Sequence, residues 1–330
     1  PARGASWRAC REGSAAAGSF ERSKYARTVV PTLSLRPSWL PVRRYAAATT
    51  GMTRSLFALG VYTAATGSGL ACQAQWPLCS DQLIPTLAIN PDFIEWFHRA
   101  WAMVTGFLIL GVGAWSWLGS FDRRTRLAAT LAVAILPIQI TVGAITVTVG
   151  GLVPGGYTVS THAAHLTVAL CIFTLLGLAT MWGGRRGGSA RLLRAAFGVA
   201  LAGILVSTLF SRAVPLLTYA PGAQAAFYLA GLSAHLGFVA ALVSTTEAMN
   251  GTATGIRAST ARAVRRLTAG ATGAFVVTLL LGRDWVLYTA TWQWVNLLAL
   301  GAAFVLAATA AWLVWGADTA RRHPTATQSD

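Results

Sequence analysis

Charge is scarce in this sequence. Only 11% of its 330 residues are Asp, Glu, Lys or Arg, whereas a soluble domain carries about 25%. That shortfall, beside 55% hydrophobic residues, excludes a chain whose main solvent is water. Acids are scarcer still, 10 against 26 Lys and Arg, which leaves a formal net charge of +16. So basic a balance raises nucleic acid as a partner, and the placement of the positive charges decides against it. Arg123, Arg124 and Arg126 follow one apolar run, and Arg185, Arg186, Arg191 and Arg194 follow another. Arg257, Arg262, Arg265 and Arg266 follow a third, and Arg321 and Arg322 the last. The intervening stretches 72–91, 150–156 and 218–226 contain no Lys or Arg at all. Under the positive-inside rule this alternation puts the protein in the cell membrane with both termini cytoplasmic and the bare loops outside.

Apolar runs near twenty residues long match a hydrocarbon core of roughly 30 Å at 1.5 Å per helical residue. They cover 55–71, 93–118, 127–149, 157–182, 195–217, 227–249, 267–288 and 291–315. The first can begin near Tyr45 if Arg54 is tolerated inside it. The expected fold class is an all-α integral membrane protein, an eight-helix transmembrane bundle. Residues 1–44 stand apart, being Arg-, Ser- and Ala-rich with only Glu12 and Glu21 as acids and no apolar core. They read as a disordered basic tail. Their composition suits an organellar transit peptide or a translated region upstream of Met52, and they are set aside from the fold.

Of four cysteines, Cys10 lies in the tail and Cys171 inside the fourth run, while Cys72 and Cys79 share the first bare loop. A disulfide on the oxidising side is the preferred reading, against two free thiols or a metal pair lacking companions. Histidine placement carries more information. His98, His162, His165 and His235 lie within apolar runs, and His323 belongs to the polar C-terminal tail. Ionisable side chains in hydrocarbon cost about 2.5 kcal/mol or more when charged, so they face the bundle interior and mark sites; the plain alternative for any one is a neutral imidazole bonded to a neighbouring helix. On the run boundaries above, His98, His165 and His235 fall at similar depth, on the order of 8 to 12 Å below the outer surface. Imidazoles on facing helices suit the two axial positions of a heme iron better than a catalytic zinc site, which needs further ligands in an aqueous cleft. Glu95 shares a helix face with His98, and Arg99 is adjacent. The carboxylate beside a cofactor would serve as a base or hold a cationic intermediate; otherwise it forms an interfacial i, i+4 pair with Arg99.

Together these residues resemble the heme A synthase family. The segment Gly60-Val-Tyr-Thr-Ala-Ala-Thr-Gly-Ser-Gly-Leu-Ala-Cys72, then Trp76-Pro-Leu-Cys79, then Glu95-Trp-Phe-His98-Arg99 resembles the family's first span, cysteine-bearing outer loop and second-span motif. Gln139-Ile-Thr-Val-Gly143 and Ala164-His165-Leu166 continue it through the fourth span, and the Cys pair points to the prokaryotic branch. The resemblance implies a bundle of two four-helix halves related by a pseudo-twofold, each able to hold a heme between two histidines. It divides the chain into a tail (1–44), an N-terminal half with the substrate site (45–186), a C-terminal half (187–317) and a cytoplasmic tail (318–330). It also implies that heme O is oxidised at a ring methyl to give heme A for terminal oxidases, with His98 and His165 on the substrate heme and Glu95 required for oxidation. Heme O synthase and a terminal oxidase are the implied partners, with homo-oligomers open. His162 falls outside the match, as a neighbour of the ligands or a substitute for one, and Arg99 likewise supports the site. In the C-terminal half the sixth run offers Ala234-His235-Leu236 and the eighth offers Trp292-Gln293-Trp294 with no His. There His235 is the candidate for a heme b, with water, Gln293 or nothing opposite, or the half is structural only. A b-type membrane cytochrome that only passes electrons is the rival function, and a transporter a more distant one.

Reporter fusions after Gly119, Gly184 and Gly251 should read cytoplasmic, and fusions near Ser80 and Gly222 external. The reverse pattern would overturn the assignment of sides.

Overall fold

The computed structural model describes residues 42–73, 75–150, 159–184, 189–214, 216–251, 257–283 and 288–322. Residues 1–41 of the expected tail, most of the loop at 150–156 and His323 lie outside them, while 42–44, expected in the tail, open the first helix. Eight α-helices account for nearly everything described: α1 (Val42–Ala65), α2 (Pro91–Leu118), α3 (Arg123–Gly150), α4 (Val159–Trp182), α5 (Ala190–Leu209), α6 (Pro221–Met249), α7 (Ala258–Leu281) and α8 (Ala290–Arg322). Seven of them, α2 to α8, are long and apolar enough to cross a membrane. The exception, α1, carries Arg43, Arg44, Arg54 and four threonines. Its polar groups are bonded inside the protein, as hydrocarbon requires. Thr49, Thr50, Thr53 and Thr63 each donate to the carbonyl four residues back, at 2.8–3.0 Å. Arg54 donates to Oγ of Ser233 on α6 at 2.6 Å, so the helix does start early and run through the arginine.

Local chemistry sets where the other helices begin. At α2, Asn90 caps the helix by accepting from Phe93 N–H at 2.8 Å, with Pro91 in the first turn. Pro needs no N–H partner there and arrives with a helical φ. This fixes Glu95 in the second turn and His98 a turn further. Ser189 caps α5 in the same way through Leu192 N–H at 3.1 Å, and Pro221 opens α6. Several run boundaries move; among them α5 ends at Leu209 and α7 at Leu281, so Arg212 and Arg283 lie beyond the helices and not within them.

Packing closes the first four helices into a ring: α1 on α2 and α4, and α3 on α2 and α4. Among the described residues no Cα of α2 comes within 8 Å of one in α4, so these two helices face each other across the ring. Helices α5 to α8 close in the same order, and α6 lies against α1 and α4. The tightest crossing is α5 on α6, where a Cβ on Gly237 would meet the Ala196 carbonyl at 2.7 Å and one on Gly203 the Ala234 nitrogen at 2.8 Å. Small residues that let backbones touch are the usual means of association in lipid.

Gly237→Leu should therefore destabilise the solubilised protein by about 1–3 kcal/mol or more through overpacking. Gly198→Leu, at a position with nothing within 4 Å, should leave the thermal midpoint unchanged. Equal midpoints for the two variants would refute the tight crossing.

Candidate functional site

Glu95 sits at the end of the bundle where α1 gives way to the cysteine loop. Its side chain is 2% exposed, and both carboxylate oxygens are taken. Cys72 N–H donates to Oε2 at 2.6 Å, while the Arg99 guanidinium donates to Oε1 and, through its other nitrogen, to the Gln75 carbonyl. Cys72 and Cys79 are joined in a disulfide, both sulfurs buried, with Cα atoms 4.2 Å apart. The preferred pairing of the sequence is therefore present. The i, i+4 pair and the buried carboxylate, two alternatives in the sequence, coexist: Arg99 neutralises Glu95 and both anchor the loop. Trp96 Nε1 adds a bond to the Leu83 carbonyl at 2.9 Å. Phe93, Trp96, Phe97 and Trp101 line one another along α2 with ring centroids 5.7–6.1 Å apart, an arrangement suited to the headgroup level.

One turn below Glu95, the Cε1 edge of the His98 imidazole lies against α1 at Gly60. A Cβ on Gly60 would stand 3.0 Å from His98 Cε1. His165 on α4 is seated the same way on α3, where a Cβ on Gly143 would stand 2.9 Å from His165 Cε1. The two imidazoles thus occupy the diagonal helices of the first ring, each backed by a glycine of the helix between. His165 Nε2 is 3.2 Å from the Gln139 side-chain nitrogen. Nδ1 of both rings is sealed from solvent without a hydrogen-bond partner. A buried orphan of this kind costs about 1–3 kcal/mol, a cost that a bound group can offset. Buried side chains are sparse at this level. Between Glu95 and Thr105 no residue of α2 is buried, nor any described residue of α3 after Ala132 or of α4 before Leu166. The inner half of the same ring is packed by Ile109, Val112, Ala129, Ala132, Ile172 and Leu176. His162, one turn nearer the loop than His165, is half-buried. Among the described residues no group of three His, Cys, Asp or Glu could hold a metal ion.

His235 departs from the expected level. α1 serves as a ruler, since His98 rests on Gly60 while α6 meets α1 through Tyr228 at Phe57 and through Ser233 at Arg54. His235 lies past Ser233, so it is roughly 9 Å or more deeper than His98. The run boundary at 227 had hidden this, because α6 begins at Pro221. Gln139, Gly60 and Gly143 were quoted in the sequence only as family letters; a glycine within an apolar helix is the one signal that could have marked the two seats.

A polytopic helical bundle with two imidazoles facing across a ring, under a disulfide-closed loop held by a carboxylate, is a multi-pass membrane protein with a built site at one end. The family described as cytochrome oxidase assembly protein matches residues 43–235, more than half of the chain, and the chain belongs to that family. Relatives include a protein named protoheme IX farnesyltransferase from Halobacterium salinarum, 36% identical over 39% of this chain and 27% of its own length. Proteins named heme A synthase match from Bacillus licheniformis, 32% identical over 37% of this chain and 38% of theirs, and from Exiguobacterium sibiricum, 34% identical over 35% and 37%. The chain spans between about a quarter and two fifths of the length of the curated relatives it matches. No solved structure matches it. The heme A synthase resemblance read from the residues is thus met by relatives of that name.

Alkylation without prior reduction should leave Cys72 and Cys79 unmodified and mark Cys171, the exposed free cysteine among the described residues; reduction should open both. Labelling of Cys72 and Cys79 in the untreated protein would contradict the pairing.

Proposed function

We propose that this protein is a heme A synthase, oxidising a ring methyl of heme O to a formyl group. The observation that carries the reading is the pair of glycine-backed imidazoles, His98 and His165, on the diagonal helices of the ring at a level where few side chains are buried. Heme is the substrate here, and the donor set fits it: two neutral nitrogen ligands from opposite helices suit an iron in a planar macrocycle. Each oxidation adds a water oxygen to the methyl carbon and passes two electrons and two protons to a two-electron acceptor. That role is open to the Cys72–Cys79 disulfide beside Glu95, which would be reduced to two thiols and reoxidised between turnovers by an external disulfide or quinone-class oxidant. The hydroxymethyl and then the hydrated aldehyde result, and loss of water leaves the formyl.

In this reading His98 and His165 hold and orient the ring. Glu95, a turn from His98, faces the porphyrin edge, stabilises positive charge at the reacting carbon and takes the proton of the incoming water. Arg99 holds the Glu95 carboxylate in place, and His162 lies near enough to His165 to support it. The disulfide loop covers the site and excludes bulk water. The twofold arrangement of four-helix halves belongs to the proposal too, supported by the matching closure of the α1–α4 and α5–α8 rings. So do cytoplasmic termini, a heme O synthase as supplier and a terminal oxidase as recipient. The names of the relatives, a heme farnesyltransferase and heme A synthases, support that setting.

The test is the heme extracted from cells expressing the full chain, identified by mass. Wild type should yield heme A. His98→Ala and His165→Ala should purify without the low-spin heme spectrum. Glu95→Gln should keep bound heme O but lower heme A by about a hundredfold or more. Because Glu95 also holds the loop, the Glu95→Gln protein must still show the disulfide by alkylation. A normal heme A yield with that loop intact removes Glu95 from the reaction. Wild-type protein that binds heme yet leaves heme O unchanged would make it an electron-carrying cytochrome.

A further inference from the structure

The family arrangement implies a second heme between α6 and α8, and the residues present do not fit one. Were the second ring to mirror the first, its ligands would lie level with His98 and His165. Two buried polar residues near those levels are Tyr228 of α6, which meets Phe57 of α1 about one turn below the Gly60 seat of His98, and Asn296 in the second turn of α8. Neither is set up to ligate. Tyr228 is fully buried and its hydroxyl donates to the Leu279 carbonyl at 2.7 Å. Asn296, 1% exposed, donates to the Tyr288 hydroxyl at 3.1 Å. The level with few buried side chains in the first ring is packed in the second. Phe227, Tyr228 and Leu232 of α6, Phe275 and Leu279 of α7 and Leu300 of α8 form one continuous buried cluster. A Cβ on Gly231 would already strike Leu279 Cδ2 at 2.7 Å.

The remaining histidine is committed elsewhere. His235 is 3% exposed and packs beside Phe173 of α4, and its Nε2 lies 2.8 Å from Thr174 Oγ1. Thr174 gives its own hydroxyl proton to the Leu170 carbonyl at 2.7 Å, so His235 must be the donor. Its Nε2 is therefore protonated and used in tying α6 to α4, and its Nδ1, buried without a partner, has no histidine on α8 to pair with across an iron. Gln293 cannot complete a pair with it. Its amide donates to the Ala213 carbonyl at 3.3 Å, near the start of α8, which leaves it roughly 16 Å from the level of His235 along the bundle.

We infer that this chain binds one heme, the substrate, and that its C-terminal half is a protein-packed scaffold in which His235 is a helix tie. The inference rests on the proposed N-terminal site for the single heme. The test is the ratio of heme, by pyridine hemochromogen, to purified full-length chain, by amino-acid analysis, after expression with heme in excess. A ratio near one is expected for wild type, for His235→Gln and for Tyr228→Phe, with an unchanged low-spin spectrum. His98→Ala should bring it close to zero. A ratio near two that falls by half in His235→Gln would overturn the inference while leaving the N-terminal site standing. A wild-type ratio near zero would overturn the N-terminal site and the single-heme inference with it. His235→Gln keeps a donor for Thr174; if His235→Ala alone lowers the thermal midpoint without changing the ratio, the tie is supported.

Discussion

A carboxyl group at the edge of hydrocarbon has to be matched group for group, and the end of this bundle is organised around Glu95. One oxygen takes a guanidinium from the same helix and the other takes a backbone N–H from the loop. That second bond decides the position of Cys72, hence of the disulfide and of the loop it closes. Asn90 and Pro91 set the start of α2 and thereby the turn on which Glu95 and His98 both appear. Without Arg99 the burial of the carboxylate would carry a penalty of several kcal/mol. The same demand for internal partners explains Arg54 on Ser233 and the threonines of α1 folded back on their own helix.

The two rings share a wiring order and differ in what fills them. In the first, aliphatic packing stops at the level of Thr105, Ala132 and Leu166, and two imidazoles stand above it. In the second, Phe and Leu side chains continue to about the same level, Tyr228 and Gln293 donate to backbone carbonyls, and Asn296 donates to the Tyr288 hydroxyl. Chemistry is concentrated in one half, and the other supplies apolar burial and the glycine-mediated crossing of α5 on α6.

Much of this was legible from residue order alone. Long apolar runs and arginine-bearing loops are statements about a bilayer, and they gave the helices. The cysteine pair and the Glu95 to Arg99 segment, seven and four positions apart, are close enough that local geometry brings them together. What escaped was set by helix starts. A run that begins at Phe227 by hydropathy begins six residues earlier by structure, because Pro221, Gly222 and Gln224 are helical without being apolar. That offset moved His235 out of line with the others. Tertiary partners such as Thr174 for His235, or Gly60 under His98, lie on other helices, and no periodicity within one helix reports them.

The glycine seats bear on how the span between the imidazoles is set. A histidine reaching into open space adjusts its distance to a partner by turning about its side-chain bonds. His98 and His165 have little such freedom, because each ring already rests on the backbone of the helix behind it. The gap is therefore a dimension of the helix framework, fixed by how closely α1 lies to α2 and α3 to α4. Substitutions far from either ring, wherever they shift one of those helices as a body, would widen or narrow it, and the ligand side chains themselves could do little to compensate.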